Sequence, residues 1–165
     1  MLKALLILCT VLAVDTAVAS AQATVRVETS DLKGPRPLQQ QTADAAIRDY
    51  LQSWQALQSA FEQNRAELLD TDFVGDARTK LGKTIQQQAS LGITTRWHDS
   101  AHDLQIVFYS PEGLSIELTD NVEYDAELLE HNKSEMKQHL HARYIAVLTP
   151  SDSRWRVRIL QASPQ

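Results

Sequence analysis

The sequence predicts an α+β domain in which N-terminal helices pack on a curved antiparallel meander sheet of four strands or more. Three observations predict it. Apolar residues recur at steps of three and four up to residue 89, the spacing changes to alternation of two from about residue 94, and turn signals separate the alternating runs. The 165 residues, 43% apolar and 22% charged, suffice for one domain with a substantial core. Against 21 Asp and Glu stand 16 Lys and Arg, a formal charge of −5, so no nucleic-acid partner held by a generally basic surface is expected.

Residues 1–23 read as an export signal. Lys3 provides the positive start, an apolar run follows, and Ala17, Ala19, Ala21 and Ala23 offer small-residue cleavage frames. The apolar run is about half the ~20 residues of a membrane-spanning helix, and Asp15 closes it, so no stable membrane span is expected after cleavage. The sole cysteine, Cys9, leaves with the signal, so the exported chain, periplasmic or secreted, is expected to be stabilised by core burial without disulfides. Residues 24–41 carry Lys33-Gly34-Pro35-Arg36-Pro37 and Gln39-Gln40-Gln41 and read as a flexible tether. The folded domain is expected over 42–162.

Thr42 is a candidate N-cap, and Ile47, Tyr50, Leu51, Trp54, Leu57 and Phe61 then mark one face of a helix over about 43–65. A second helix is expected to begin near Asp70 or Asp72, to bury Phe73, Val74, Ala77, Leu81, Ile85 and Ala89, and to end at Gly92. Four alternating runs follow. Ser110-Pro111-Glu112-Gly113, His131-Asn132-Lys133 and Pro150-Ser151-Asp152-Ser153 mark the reversals between them. Centring the middle hairpin on Asn132 sets Glu127 opposite Lys137, Asp125 opposite His139, Glu123 opposite His141 and Asn121 opposite Arg143. Opposite signs meet along one face, each pair contributing about 0.2–1 kcal/mol. The other face, with Val122, Tyr124, Leu140, Tyr144 and Ala146, is expected to meet the helices.

This arrangement over residues 42–162, with Ala45-Ala46-Ile47-Arg48-Asp49-Tyr50-Leu51-Gln52-Ser53-Trp54 at its start, Leu68-Leu69-Asp70-Thr71-Asp72-Phe73 between the helices and Ser153-Arg154-Trp155-Arg156-Val157-Arg158-Ile159 at its close, resembles the cone-shaped nuclear transport factor 2-like (NTF2-like) superfamily. That superfamily includes SnoaL-like cyclases and ketosteroid isomerase. The resemblance implies a cone that isomerises or dehydrates small apolar substrates, binds ligands without chemistry, or docks partners.

Asp120 interrupts the apolar face between Leu118 and Val122, and the proposed registers set Leu104 and Tyr144 opposite it, with His102 nearby. An acid beside a phenol and an imidazole in an apolar cone resembles an isomerase-like site, with Asp120 as general base and Tyr144 and His102 as polar partners. The competing expectation is a bulge at Asp120-Asn121 that turns the carboxylate out. His98, Asp99, His102 and Asp103, and separately His139 and His141, have metal-ligand chemistry but no recognised metal spacing, and no metal or cofactor is expected. A bulge is expected around Asp99-Ser100. No nucleophile elbow or phosphate-cradling glycine loop is present.

Tyr50, Trp54, Phe61 and Tyr124 are the candidate ligand-lining residues. Arg143, Ile145, Val147, Arg156 and Arg158, with Leu160 beside them, are expected on the outer sheet face as a surface for a homodimer. The leading expectation is an exported, non-enzymatic domain binding a small apolar ligand or a protein partner. The alternative is an isomerase-like enzyme using Asp120.

Overall fold

The computed structural model describes residues 23–28, 32 and 36–163. Residues 1–22 of the expected export signal, and residues 29–31 and 33–35 of the expected tether, lie outside the described residues. Two helices, α1 (Gln40–Gln63) and α2 (Gly75–Ser90), pack on a five-stranded sheet of β1 (Thr24–Val27), β2 (Ile93–Tyr109), β3 (Ile116–Glu130), β4 (Lys133–Ser151) and β5 (Arg154–Ser163) in the order β1-β2-β3-β4-β5. The α+β meander is as expected, with one strand added. Thr24 to Val27, within the stretch read as a tether, runs parallel to β2 and pairs with residues 101–104.

Helix α1 buries Ala46, Tyr50, Trp54, Leu57 and Ala60, the three-and-four spacing that its sequence carries. It begins two residues before Thr42, and its N-cap position, Gln39, makes no side-chain cap bond. It ends at Asn64 in the left-handed region, φ 54°, where the side-chain amide donates to the Ile93 carbonyl at 2.8 Å. Polar contacts then fix the helix to the sheet. Asp49 is buried and accepts the Trp155 backbone N–H at 2.8 Å, which ties α1 to the start of β5.

Helix α2 starts later than its sequence suggests. A 3₁₀ turn at Ala66–Leu69 precedes it, and the backbone about Phe73 forms a bridge to β5: Val74 N–H donates to the Val157 carbonyl and Val157 N–H to the Asp72 carbonyl, both at 2.9 Å. Those sheet-like bonds hold residues 72–74 extended, so helical bonding begins only at Gly75. Gly92, with φ 68°, follows the C-cap residue Leu91 as expected.

The β3–β4 register matches the expected pairing at all four positions: Glu127 with Lys137, Asp125 with His139, Glu123 with His141 and Asn121 with Arg143. His131 and Asn132 both take positive φ in a two-residue connection between Glu130 and Lys133. Bulges set which side chains face the helices. One lies between Asp99 and Ala101, as expected. Others lie at Ile106/Phe108 and Val147/Leu148, and the pairing of Asp120 and Asn121 with both neighbours is regular. The bulge at Val107 leaves Phe108 47% exposed, where strict alternation placed it inside. In β5 the pairs Leu148 with Val157 and Val147 with Ile159 make Arg158 the extra residue, which brings Leu160 to the core side with Val157. Leu160 therefore does not belong to the outer face. Arg156 is drawn toward the helix connection, its guanidinium donating to the Asp70 and Phe73 carbonyls.

Candidate functional site

Asp120 is fully buried on the core face of β3, so its carboxylate does not turn outward. It forms the centre of a hydrogen-bonded group drawn from three elements. From α1, the Tyr50 hydroxyl donates to Asp120 Oδ2 at 2.9 Å, and from β2, His102 Nδ1 lies 2.7 Å from the same oxygen. His102 Nε2 faces Asp99 Oδ2 at 3.4 Å, and that oxygen also accepts Trp54 Nε1 at 2.9 Å and Gln58 Nε2 at 2.7 Å. One imidazole thus sits between the fully buried Asp120 carboxylate and the partly buried Asp99 carboxylate, each anchored to α1.

The bulge explains the arrangement. In a regular strand, Asp99 and His102 would project to opposite faces, because positions three apart differ in parity. Ser100 is the unpaired extra residue between the Asp99–Tyr124 and Ala101–Glu123 pairs, so both side chains face inward.

The surroundings set the protonation. Burial works against a charged His102, but the hydrogen bonds to Asp120 and Asp99 outweigh it and push the imidazole up to about 9. Burial raises the Asp120 carboxyl, and the bond from His102 opposes that rise. Burial, then the adjacent Asp120, holds the Tyr50 phenol well above its ordinary value. Asp120 Oδ1 and Asp99 Oδ1 are buried and accept no hydrogen bond from the described residues.

Beside this group, toward the end of the sheet where α1 finishes, lies a cavity of about 400 Å³. Trp54, Phe61, Trp97, Tyr124, Tyr144 and Leu140 supply much of its wall. The indole N–H of Trp97 is buried and unpartnered, and the Tyr124 and Tyr144 hydroxyls are 3.4 Å apart. Burial raises the Tyr144 phenol, and its contact with Tyr124 adds to the rise. Asp120 and His102 are not part of the wall. The Trp54 ring packs edge-on against both His102 and Tyr144, at centroid distances of 5.5 and 5.0 Å, and so stands between the buried acid–imidazole pair and the cavity. A larger groove of about 580 Å³ between β1 and α1 has Glu28, Asp44 and Arg48 along it and no aromatic wall.

Of the residues singled out from sequence, the structure brings Asp120 and His102 together. It places Tyr144 across from Asp120 in the sheet but with its hydroxyl toward Tyr124. Trp54, Phe61 and Tyr124 line the cavity, whereas Tyr50 lies beneath it as the phenol that meets Asp120. Asp99, singled out from sequence only for its metal-ligand chemistry, joins His102, and Gln58 and Trp97 are additions. The first needs the bulge to face inward, and the others carry no mark that separates them from solvated or core side chains.

No family model and no curated protein matches the sequence. Solved structures do match in shape. The intermembrane-space region of the chloroplast protein ARC6 superposes with a TM-score of 0.63 at 14% identity, over 77% of this chain and 98% of that one. A protein assigned as a scytalone dehydratase from Novosphingobium aromaticivorans gives 0.54 at 17%, over 76% and 89%. A protein assigned as a dehydratase of the NTF2-like family from Streptomyces avermitilis gives 0.51 at 11%, over 74% and 98%. This chain has the NTF2-like cone fold. Between the helices and the sheet lie, side by side, a largely buried polar group and an aromatic cavity. The neighbours carry names as different as a scytalone dehydratase and a chloroplast intermembrane-space region, so the shared fold leaves the chemistry to the side chains.

Proposed function

We propose that this chain is an exported NTF2-like domain that binds one small, largely apolar molecule in the aromatic cavity without transforming it. The observation that carries the reading is the division just described: the cavity wall holds aromatic and aliphatic surface with phenol and indole donors, and the titratable pair lies behind Trp54. A volume of about 400 Å³ falls at the lower end of the ~300–1,000 Å³ of small-molecule sites. Among the described residues, no helix is long and apolar enough to cross a membrane. Export rests on the sequence of residues 1–23.

Titration with N-phenyl-1-naphthylamine, a neutral apolar fluorophore, tests the reading. One saturable site per chain is expected, with quenching of tryptophan emission. Leu140→Trp and Ala162→Phe, which fill the cavity, are expected to abolish it while far-UV circular dichroism stays unchanged. Absence of saturable binding, or binding indifferent to both substitutions, rejects the reading.

A second reading is favoured by the full burial of Asp120 against His102, an arrangement suited to moving a proton to or from a bound molecule. It requires the Trp54 ring to swing aside. Under this reading, an aromatic ketone in D₂O is expected to exchange its α-protons in the presence of the protein, and Asp120→Asn is expected to abolish the exchange. Exchange no faster than in buffer rejects it.

A further inference from the structure

On the outer face of the same sheet, away from the cavity, imidazoles and carboxylates form a second cluster. His98 of β2, Asp125 of β3 and His139 of β4 occupy one lateral row, and Glu123 and His141 occupy part of the next. The cross-strand register and the two-residue strand period put His139, His141 and Glu123 on one side of the sheet. Their ligand atoms all lie within 4.8 Å of one another.

We propose that Glu123, His139 and His141 form a binding site for a divalent transition-metal ion of the zinc or copper class, with Asp125 positioning His139. Two imidazoles and one carboxylate make a three-ligand set that leaves a coordination position open. The outer partner is already in place. Asp125 Oδ1 lies 2.7 Å from His139 Nδ1, and Nε2 of the same ring points to Glu123 Oε1 at 2.9 Å. A carboxylate that accepts from Nδ1–H fixes the tautomer whose Nε2 lone pair is available to a metal. His141 completes the set, its ring edge-on to that of His139 with centroids 5.0 Å apart.

The geometry needs only a small closure. Donors about 2.0–2.1 Å from a tetrahedral zinc stand roughly 3.3 Å from each other. His139 and His141 are exposed and Glu123 half-buried, so their side chains can make that adjustment without repacking the core. Imidazole donors select zinc and copper over the hard cations magnesium and calcium, which take oxygen ligands.

Isothermal titration of the full chain, free of any purification tag, with Zn²⁺ and Cu²⁺ tests the site, with Mg²⁺ as the comparison ion. One Zn²⁺ per chain is expected, Cu²⁺ is expected to bind more tightly, and Mg²⁺ is expected to give no saturable signal. His139→Gln and His141→Gln are expected to abolish the zinc site, Asp125→Asn to weaken it by about tenfold, and His98→Gln to leave it unchanged. Histidine ring resonances of the unmodified chain provide a readout that does not depend on any variant folding: those of His139 and His141 are expected to shift with zinc while that of His102 stays fixed. The proposal is overturned if zinc gives no saturable binding, if the His139 and His141 variants retain it, or if the shifted resonances belong to other histidines.

Discussion

His102 is the residue whose charge ties the interior together. Its imidazole is raised from an ordinary value of 6.5 to about 9 in the folded chain, so folding takes up a proton between those two values. The stabilisation is fully present below about pH 6.5 and is lost as pH rises through about 9, over a range worth on the order of 3 kcal/mol. Thermal unfolding is therefore expected to show a falling midpoint between pH 6.5 and 9, and His102→Gln is expected to flatten that slope. A midpoint that rises over this window in the unmodified chain would contradict the assignment. Asp120→Asn tests the same pair from the other side. With the carboxylate replaced by an amide, the His102 titration followed by nuclear magnetic resonance is expected to move down from about 9 toward 6.5.

Much of this group was legible in the sequence, because an Asp at an inward position of an otherwise apolar strand is conspicuous and hairpin pairing follows from turn positions. Tyr50 could not be assigned to Asp120 in the same way. The two are 70 positions apart and meet only because α1 crosses β3 at that height. Asp99 was visible as part of a polar stretch, but its orientation depends on which residue the bulge leaves unpaired.

At the scale of elements, buried polar side chains decide how helices sit on the sheet. Asp49 holds the backbone N–H of Trp155, the second residue of β5 after the Asp152-Ser153 reversal, and Arg48 approaches its other oxygen at 3.0 Å. Asp49→Ala leaves the Trp155 N–H buried without an acceptor, and denaturant unfolding is expected to show a loss of about 1–3 kcal/mol. A similar clamp joins α2 to both neighbours. Gln88 donates to the Phe61 carbonyl at 2.7 Å and accepts from the Thr95 hydroxyl at 3.0 Å. Periodicity places the glutamine run largely off the buried face, and Gln88 shows why apolar patterning alone misses such contacts: its amide adds a second, shorter hydrogen bond to the Phe61 carbonyl, which the Asn64 N–H reaches at 3.4 Å where α1 ends. The late start of α2 has the same origin. Aspartate start signals and apolar spacing mark a helix from the aspartates onward, and the pairing of residues 72–74 with β5 overrides them.

For the whole molecule, the two faces of the sheet differ in character. The inner face carries the polar group and the cavity, and the outer face carries the charge rows, the proposed metal ligands and the surface expected to meet a second copy. With Arg156 engaged by the helix connection and Leu160 facing the core, that surface is reduced to Arg143, Ile145, Val147 and Arg158. We propose that a dimer forms there. Light scattering is expected to give a dimeric mass for the exported chain and a monomeric mass for Arg143→Glu/Arg158→Glu, and a dimer that survives both substitutions would reject the surface. N-terminal sequencing of the exported chain is expected to begin at Thr24, and recovery of chain beginning at Met1 would reject export processing. The fold class was legible because the change of spacing after α2 is abrupt. The division of the interior was not, since it depends on one tryptophan ring lying between a histidine and a tyrosine from two different strands.

The exposed residue at the centre of the β2 bulge has one more consequence. Ser100 is supernumerary, so chain length and side-chain direction are uncoupled there. Shortening the chain by that residue would return β2 to simple alternation with Asp99 and His102 both still inward, whereas a substitution at 100 changes neither length nor direction. Lengthening a regular stretch of β3 by one residue would reverse every side chain beyond it. In a lineage of such domains, gains and losses of single residues would then be tolerated at the bulges and selected against on the strand that bears Asp120.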